Sequence, residues 1–144
     1  MTAQGDHQQK GVDYIETFAP VVKSALLRVF FAHCVNLGLK IWHMDVKCAF
    51  LHGILKEPVY IRQLKGYEVE GKEDWVWQLH KVLYGLKQGG CEWYTIIDRF
   101  FWEHGFTHAY ADHCVYIFQC GNTLILIPLY VDDLFMGHND TGRR

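Results

Sequence analysis

The sequence predicts an α+β fold with a largely antiparallel sheet. Two segments have helical periodicity, and several short apolar runs are separated by turn signals. Their order is helix, strand, two strands, helix and a strand hairpin, which fits α+β better than a parallel βαβ fold. Half of the 144 residues are apolar and 21% are charged, as in a globular protein, and the length fits a single domain over 1–144.

The first half of the chain contains one predicted helix and three predicted strands. Ser24 is a suitable N-cap for a helix that Gly38 would end. A strand is predicted over 39–47, because side chains of alternating character occur there. Two further short strands are predicted at 58–64 and 75–80, on either side of a glycine-containing loop.

The second half contains an amphipathic helix and a hairpin. Apolar residues recur on one face between 92 and 104, which is the clearest helical pattern in the chain. Strands over 114–119 and 123–131 are joined by a Cys-Gly-Asn turn, and Asp132-Asp133 is a second turn into 134–138. Pro128 removes a backbone donor from the second strand, so we expect it at a bulge or an unpaired position.

Composition narrows the classes of function. The net charge of −2 argues against a purely electrostatic nucleic-acid binder. No apolar run reaches the length of a membrane helix and the first residues lack a secretory signal, so we expect a soluble, intracellular protein. The five cysteines form no C-x-x-C pair, which argues against a disulfide framework or zinc ribbon. A metal cluster at His108, His113 and Cys114 is conceivable, although the usual zinc spacings are absent.

Two adjacent carboxylates, Asp132 and Asp133, follow the apolar run TLILIPLYV. A solvent-exposed turn explains such a pair most simply. Asp45 ends the predicted strand 39–47, however, and strand ends can converge. Three clustered carboxylates would have raised pKa values unless a cation neutralised them, and hard oxygen ligands suit Mg²⁺. Two such ions could activate a 3′-hydroxyl and stabilise a leaving pyrophosphate.

Eight blocks of sequence support a cation-binding cluster over a solvent-exposed turn. They are GVDYIETFAPVVK (11–23), MDVKCAFLHG (44–53), EPVYIRQ (57–63), LYGLKQ (83–88), WY (93–94), GF (105–106), ADHCVY (111–116) and LYVDDL (129–134). With these blocks in this order, the chain closely resembles the reverse transcriptase domain of copia-type retrotransposon polyproteins. The resemblance implies a partial polymerase domain with fingers and palm, an antiparallel sheet flanked by helices, and no thumb.

The resemblance also implies roles for individual residues. Asp45, Asp132 and Asp133 would be the catalytic triad that binds two Mg²⁺ ions, with Mn²⁺ as an alternative metal, and Val46 would add a backbone carbonyl. The residues expected to contact substrate are Val46, Phe50, Gln88, Tyr130 and Val131. The implied partners are an RNA/DNA template-primer and deoxynucleoside triphosphates, in the cytoplasm or the nucleus. The alternative for Phe50 is a plain core aromatic, and from the residues alone Gln88 is an ordinary helix-start residue.

Several positions depart from the family pattern. A basic strand expected before Gln4-Gly5 is missing, Gly-Gly-Cys at 89–91 replaces Ala-Pro-Arg, and Cys48 and His52 replace Thr and Asn. The chain ends soon after the Asp132-Asp133 turn, where a thumb would be expected. These departures predict weak polymerase activity. They leave open an alternative function as a catalytically silent remnant that is inert or acts by binding.

Overall fold

The structure, a computed structural model, describes residues 2–139 and divides them into two compact units. The first unit comprises 2–18 and 50–95, and the second comprises 19–49 and 96–139. The described residues form an α+β fold with antiparallel strands, as predicted. Neither described helix has the length and apolar composition of a membrane span.

The helices are α1 (Ser24–Asn36) and α2 (Gly89–Glu103). The strands are β1 (Lys40–Asp45), β2 (Ile54–Arg62), β3 (Val76–Lys81), β4 (Thr107–Ala109), β5 (Asp112–Cys120), β6 (Thr123–Tyr130) and β7 (Asp133–His138). Short 3₁₀ turns occur at Gly5–His7 and Ala49–His52. β4 was not predicted, because a strand of three residues is too short to show a period.

The second unit is built on a five-stranded sheet in the order β1-β7-β6-β5-β4, with every neighbouring pair antiparallel. Pro128 lies in the central strand β6, in register with Val115 of β5. β6 pairs with β7 at Leu126 and again at Leu129, on either side of the proline and in the same register. The expected bulge is therefore absent, and Pro128 is unpaired only on the β7 side, where it lacks a backbone donor.

The end of α1 is fixed by Gly38, as predicted. Its φ of 64° lies in the left-handed region. The Gly38 N–H donates to the carbonyl of Val35 at 3.2 Å, and the Leu39 N–H donates to that of Cys34 at 2.8 Å. This pair of bonds is a Schellman motif. The predicted N-cap was wrong, because Lys23 occupies that position without a side-chain bond and Ser24 is the first helical residue.

The two helices contact opposite faces of this sheet. On one face, a Cβ added at Gly137 would lie 2.5 Å from Cys34 Sγ, so α1 packs closely against the sheet there. On the other face, the ring of Phe101 in α2 lies 4.4 Å from that of Tyr116 in β5. Tyr116 and Gly137 belong to opposite faces by the register of the strands.

The first unit contains the β2-β3 hairpin, the N-terminal segment and the start of α2. The predicted helix begins three residues earlier than expected, at Gly89 instead of Glu92. Helix propensity disfavours Gly89 and Gly90. A Cβ at Gly89 would lie 3.0 Å from Val82 Cγ1, so close packing accounts for the glycine there.

Candidate active site

Asp45 and Asp133 are direct partners in the antiparallel pairing of β1 with β7. Directly paired residues point to the same face of a sheet, with Cβ atoms about 4.5–5.5 Å apart. Beyond this pair, the Val46 N–H donates to the carbonyl of Asp132 at 2.9 Å. The main chains at the two sequence-predicted carboxylate positions are therefore joined, and Asp45 lies on a strand next to the β6-β7 hairpin, as expected.

The turn between β6 and β7 consists of Val131 and Asp132. Tyr130 and Asp133 close it as a paired position, and Tyr130 is half-exposed. Val131 has a φ of 58°, a region in which β-branched side chains are rare. A positive φ at the first of two loop residues is the pattern of a type II′ turn, where glycine is usual.

Backbone strain is concentrated around the aspartates. Among residues 2–139, only Cys48 and Val131 are non-glycine residues with a positive φ, 55° and 58°. Cys48 follows Asp45 by three positions, and Val131 immediately precedes Asp132. Strained conformations cost about 1–3 kcal/mol each and occur preferentially at functional sites. The positions of these two residues therefore support a functional role for the segments that carry the carboxylates.

His43 is a residue of this site that the sequence did not indicate. Its Nε2 lies 2.7 Å from Oδ1 of Asp133, and both side chains are about half exposed. The imidazole ring stacks on Phe135, with centroids 4.6 Å apart and planes 13° apart. The available signal was the alternation in β1, which places His43 and Asp45 on one face.

The donor atoms at this site suit a hard cation. Asp45, Asp132 and Asp133 offer carboxylate oxygens, and the Asp45 and Asp133 side chains reach solvent. Mg²⁺ is usually held by one or two carboxylates, with waters and substrate phosphates as its other ligands. Within residues 2–139, no three His, Cys, Asp or Glu side chains form a group arranged to hold a metal by themselves. The strand register thus supplies a pair of carboxylates, and this chemistry fits Mg²⁺.

Phe50 and Gln88 belong to the first unit, whereas Asp45 and the turn belong to the second. The Phe50 ring packs 5.5 Å from that of Tyr84. Gln88 is only 4% exposed. Its Oε1 accepts from Nε2 of Gln8 at 3.0 Å, and its Nε2 donates to the carbonyl of Asp13 at 3.1 Å. The amide of Gln88, the residue before α2, therefore links the start of this helix to the N-terminal segment.

His108, His113 and Cys114 do not form the conceivable metal cluster, because within the described residues no three such side chains are arranged to hold a metal. His108 Nε2 lies 3.2 Å from Oδ1 of Asp98, and its Nδ1 lies 2.6 Å from the His113 carbonyl. Burial raises the pKa of the Cys114 thiol to about 12, so this side chain favours the neutral form over a metal-binding thiolate. His108 is therefore engaged in polar contacts within the fold, and Cys114 is a buried core residue.

Comparison with known proteins agrees with these features. Residues 1–143 match the family described as "Reverse transcriptase (RNA-dependent DNA polymerase)". The Pol polyprotein from transposon TNT 1-94 of Nicotiana tabacum is 41% identical over 143 residues, which cover 99% of this chain and 11% of that protein. The polyproteins from transposons RE2 and RE1 of Arabidopsis thaliana are 36% and 35% identical, over 98% and 97% of this chain and 10% of each polyprotein.

The chain thus spans about a tenth of the length of these relatives. No solved structure matches it significantly. The family match extends over nearly all of the sequence and includes both carboxylate segments. The chain therefore belongs to the reverse transcriptase family, in the copia-type group of transposon Pol polyproteins.

Proposed function

We propose that this chain is the part of a reverse transcriptase that transfers deoxynucleotides to a primer 3′-hydroxyl, with Asp45, Asp132 and Asp133 as its catalytic carboxylates. The proposal includes an RNA/DNA template-primer and deoxynucleoside triphosphates as substrates, inside the cell. The second unit would be the palm and the first unit part of the fingers, which together make one partial polymerase domain.

One observation carries this proposal: the direct pairing of Asp45 with Asp133. Like charges directly opposite each other destabilise a sheet. Pairing them at the end of two strands, beside the strained Val131, serves no packing purpose. A cation would compensate for the repulsion, and the family match names a reaction that needs cations.

The chain's own residues have distinct parts in the proposed reaction. Asp45 and Asp133 would hold Mg²⁺, or Mn²⁺, from one face of the sheet, together with Asp132 and the Val46 carbonyl. Bound Mg²⁺ would supply Lewis acidity toward the 3′-hydroxyl and the phosphates. Tyr130 and Val131 would support the primer terminus from the turn. Phe50 would exclude a ribose 2′-hydroxyl through its bulk.

Gln88 supports an alternative proposal, a catalytically silent protein that is inert or acts by binding. The family role of this residue is contact with the nucleotide, yet both ends of its amide are used by Gln8 and by the Asp13 carbonyl. The triad could persist in such a protein without turnover. The pairing of Asp45 with Asp133 favours an active polymerase. The hydrogen bonds made by the Gln88 amide favour a catalytically silent protein.

A primer-extension assay separates these two functions. The wild-type chain would be compared with Asp45→Asn and Asp133→Asn on a primed RNA template with Mg²⁺ and deoxynucleotides. We expect incorporation to fall at least about 100-fold in each variant. Mutation of a residue that only orients a metal ligand typically lowers activity by about 10- to 100-fold, and loss of the ligand itself should lower it at least as much. Incorporation by wild type that does not exceed that of the variants would favour the silent protein.

A further inference from the structure

We propose that His43 is a positioning residue for Asp133, holding one carboxylate oxygen so that the other is presented to a divalent cation. This inference rests on the proposed function. It concerns a contact that neither the sequence blocks nor the family match assigns. The Nε2–Oδ1 distance of 2.7 Å is a short hydrogen bond.

The direction of this bond follows from the acceptor. The proposal assigns the proton to Nε2 of His43, because an ionised carboxylate only accepts hydrogen bonds. A carboxylate has two oxygens, and this bond occupies one side of Oδ1 only. In the proposed arrangement the Oδ2 atom of Asp133 faces the cation, and the bond to Oδ1 restricts the rotation of the carboxylate.

The imidazole is itself held in place by neighbouring rings. It stacks on Phe135 at 4.6 Å, and Phe135 makes an edge contact with Phe31 of α1 at 5.2 Å. Register places His43 directly opposite Phe135, so the stack is a cross-strand pair. Because these rings already hold the His43 imidazole in place, little conformational entropy is lost when it orients the Asp133 carboxylate.

The contact is a poor candidate for a stabilising ion pair. The His43 and Asp133 side chains are 57% and 42% exposed, and exposed pairs contribute little to folding. A structural role would therefore have a small effect, whereas partners of a metal ligand typically change metal affinity by about 10- to 100-fold. This difference makes the two roles separable by experiment.

The test uses the full chain and measures the Mn²⁺ concentration that half-maximally raises its melting temperature. His43→Phe keeps an aromatic ring to stack on Phe135 and removes the donor, whereas His43→Gln retains an N–H donor. We expect His43→Phe to weaken Mn²⁺ binding by about 10- to 100-fold and His43→Gln to restore most of it. In EDTA wild type and His43→Phe should melt at similar temperatures, because the pair is half exposed and the ring stack on Phe135 is kept.

Asp133→Asn and the NMR spectrum of the His43 ring complete the test. If Asp133→Asn loses Mn²⁺ binding but His43→Phe binds as tightly as wild type, the positioning role is wrong and the proposed function stands. If wild type and Asp133→Asn respond equally to Mn²⁺, the proposed metal site fails, and this inference with it. A His43 ring protonated on Nδ1 alone in the native protein would also overturn the inference, without reference to metal.

Discussion

Asp45 faces Asp133 across the antiparallel pairing of β1 and β7, so two carboxylates meet where both strands end. This arrangement reduces the stability of the sheet, because like charges directly opposite each other repel. The main chain beyond it is joined by the bond from the Val46 N–H to the Asp132 carbonyl. The fold therefore brings together segments that are far apart in sequence and holds them against electrostatic repulsion.

Removing one of these charges should stabilise the metal-free protein. We expect Asp45→Asn to raise the melting temperature in EDTA by about 1–4 °C, since a like-charge pair costs several tenths of a kcal/mol. Differential scanning calorimetry measures this, with Asp74→Asn in the exposed loop before β3 as the control variant. A lower melting temperature for Asp45→Asn would mean that the two carboxylates do not repel each other.

The close approach of α1 to the sheet predicts a specific double-mutant result. Gly137→Ala should destabilise the protein by about 1–3 kcal/mol, because the new methyl would meet Cys34 Sγ at 2.5 Å. Cys34→Ala removes that sulfur, so the double variant should recover part of the loss relative to the sum of the single changes. Urea unfolding of the four proteins measures the coupling. Additive effects would mean that the added methyl does not meet Cys34.

The buried amide of Gln88 should contribute to stability. The backbone N–H of Lys87 donates to Oε1 of Gln8 at 2.8 Å, so the other end of the Gln8 amide must be the donor. Gln8 Nε2 therefore donates to Gln88 Oε1, and Gln88 Nε2 donates to the Asp13 carbonyl. Gln88→Met should cost about 1–3 kcal/mol, because it leaves the part-buried Asp13 carbonyl without its donor and the Gln8 amide without its acceptor.

Gln8→Ala interrupts the same network, so its cost should not add to that of Gln88→Met. Chemical denaturation measures both effects. A nucleotide-contacting role alone would leave stability unchanged in Gln88→Met, and that result would contradict the network as a structural link.

The buried thiol of Cys114 predicts a pH dependence. Burial, with a further contribution from the Asp112 carboxylate, raises its pKa from 9.0 to about 12. The folded state thus retains a proton that the unfolded state loses. The stabilisation is fully present below pH 9 and is lost as the pH rises from 9 towards 12.

The difference in unfolding free energy between wild type and Cys114→Ala should therefore shrink across this pH range. Cys120→Ala is the control, because Cys120 is exposed. A difference that stays constant up to pH 11 would show that the Cys114 thiol titrates alike in both states.

Much of the fold could be read from local chemistry. Gly38 ends α1 because only the left-handed region closes a Schellman motif there, and the alternation in β1 is a strand period. The start of α2 was misjudged, since propensity disfavours the glycines at 89 and 90 whereas close packing beside Val82 requires a small residue.

The site was less accessible to sequence reasoning. The motif indicated that Asp45 and Asp133 converge, but the register that makes them direct partners depends on strands about 90 residues apart. The contact between His43 and Asp133 follows from that register, whereas the alternation in β1 indicates only that His43 and Asp45 share a face. The internal bonds of Gln88 likewise depend on where the N-terminal segment lies.

Asp45, Asp132 and Asp133 are proposed to form a divalent-cation site, and paramagnetic broadening by bound Mn²⁺ would locate that site directly. Substoichiometric Mn²⁺ would be titrated into the isotopically labelled chain while backbone amide signals are followed. The signals of Asp45, Val46, Asp132 and Asp133 should broaden first, and Asp133→Asn should abolish this selectivity. Earlier broadening in the acidic loop 68–74, with the four site signals unchanged, would show that these carboxylates do not form the cation site.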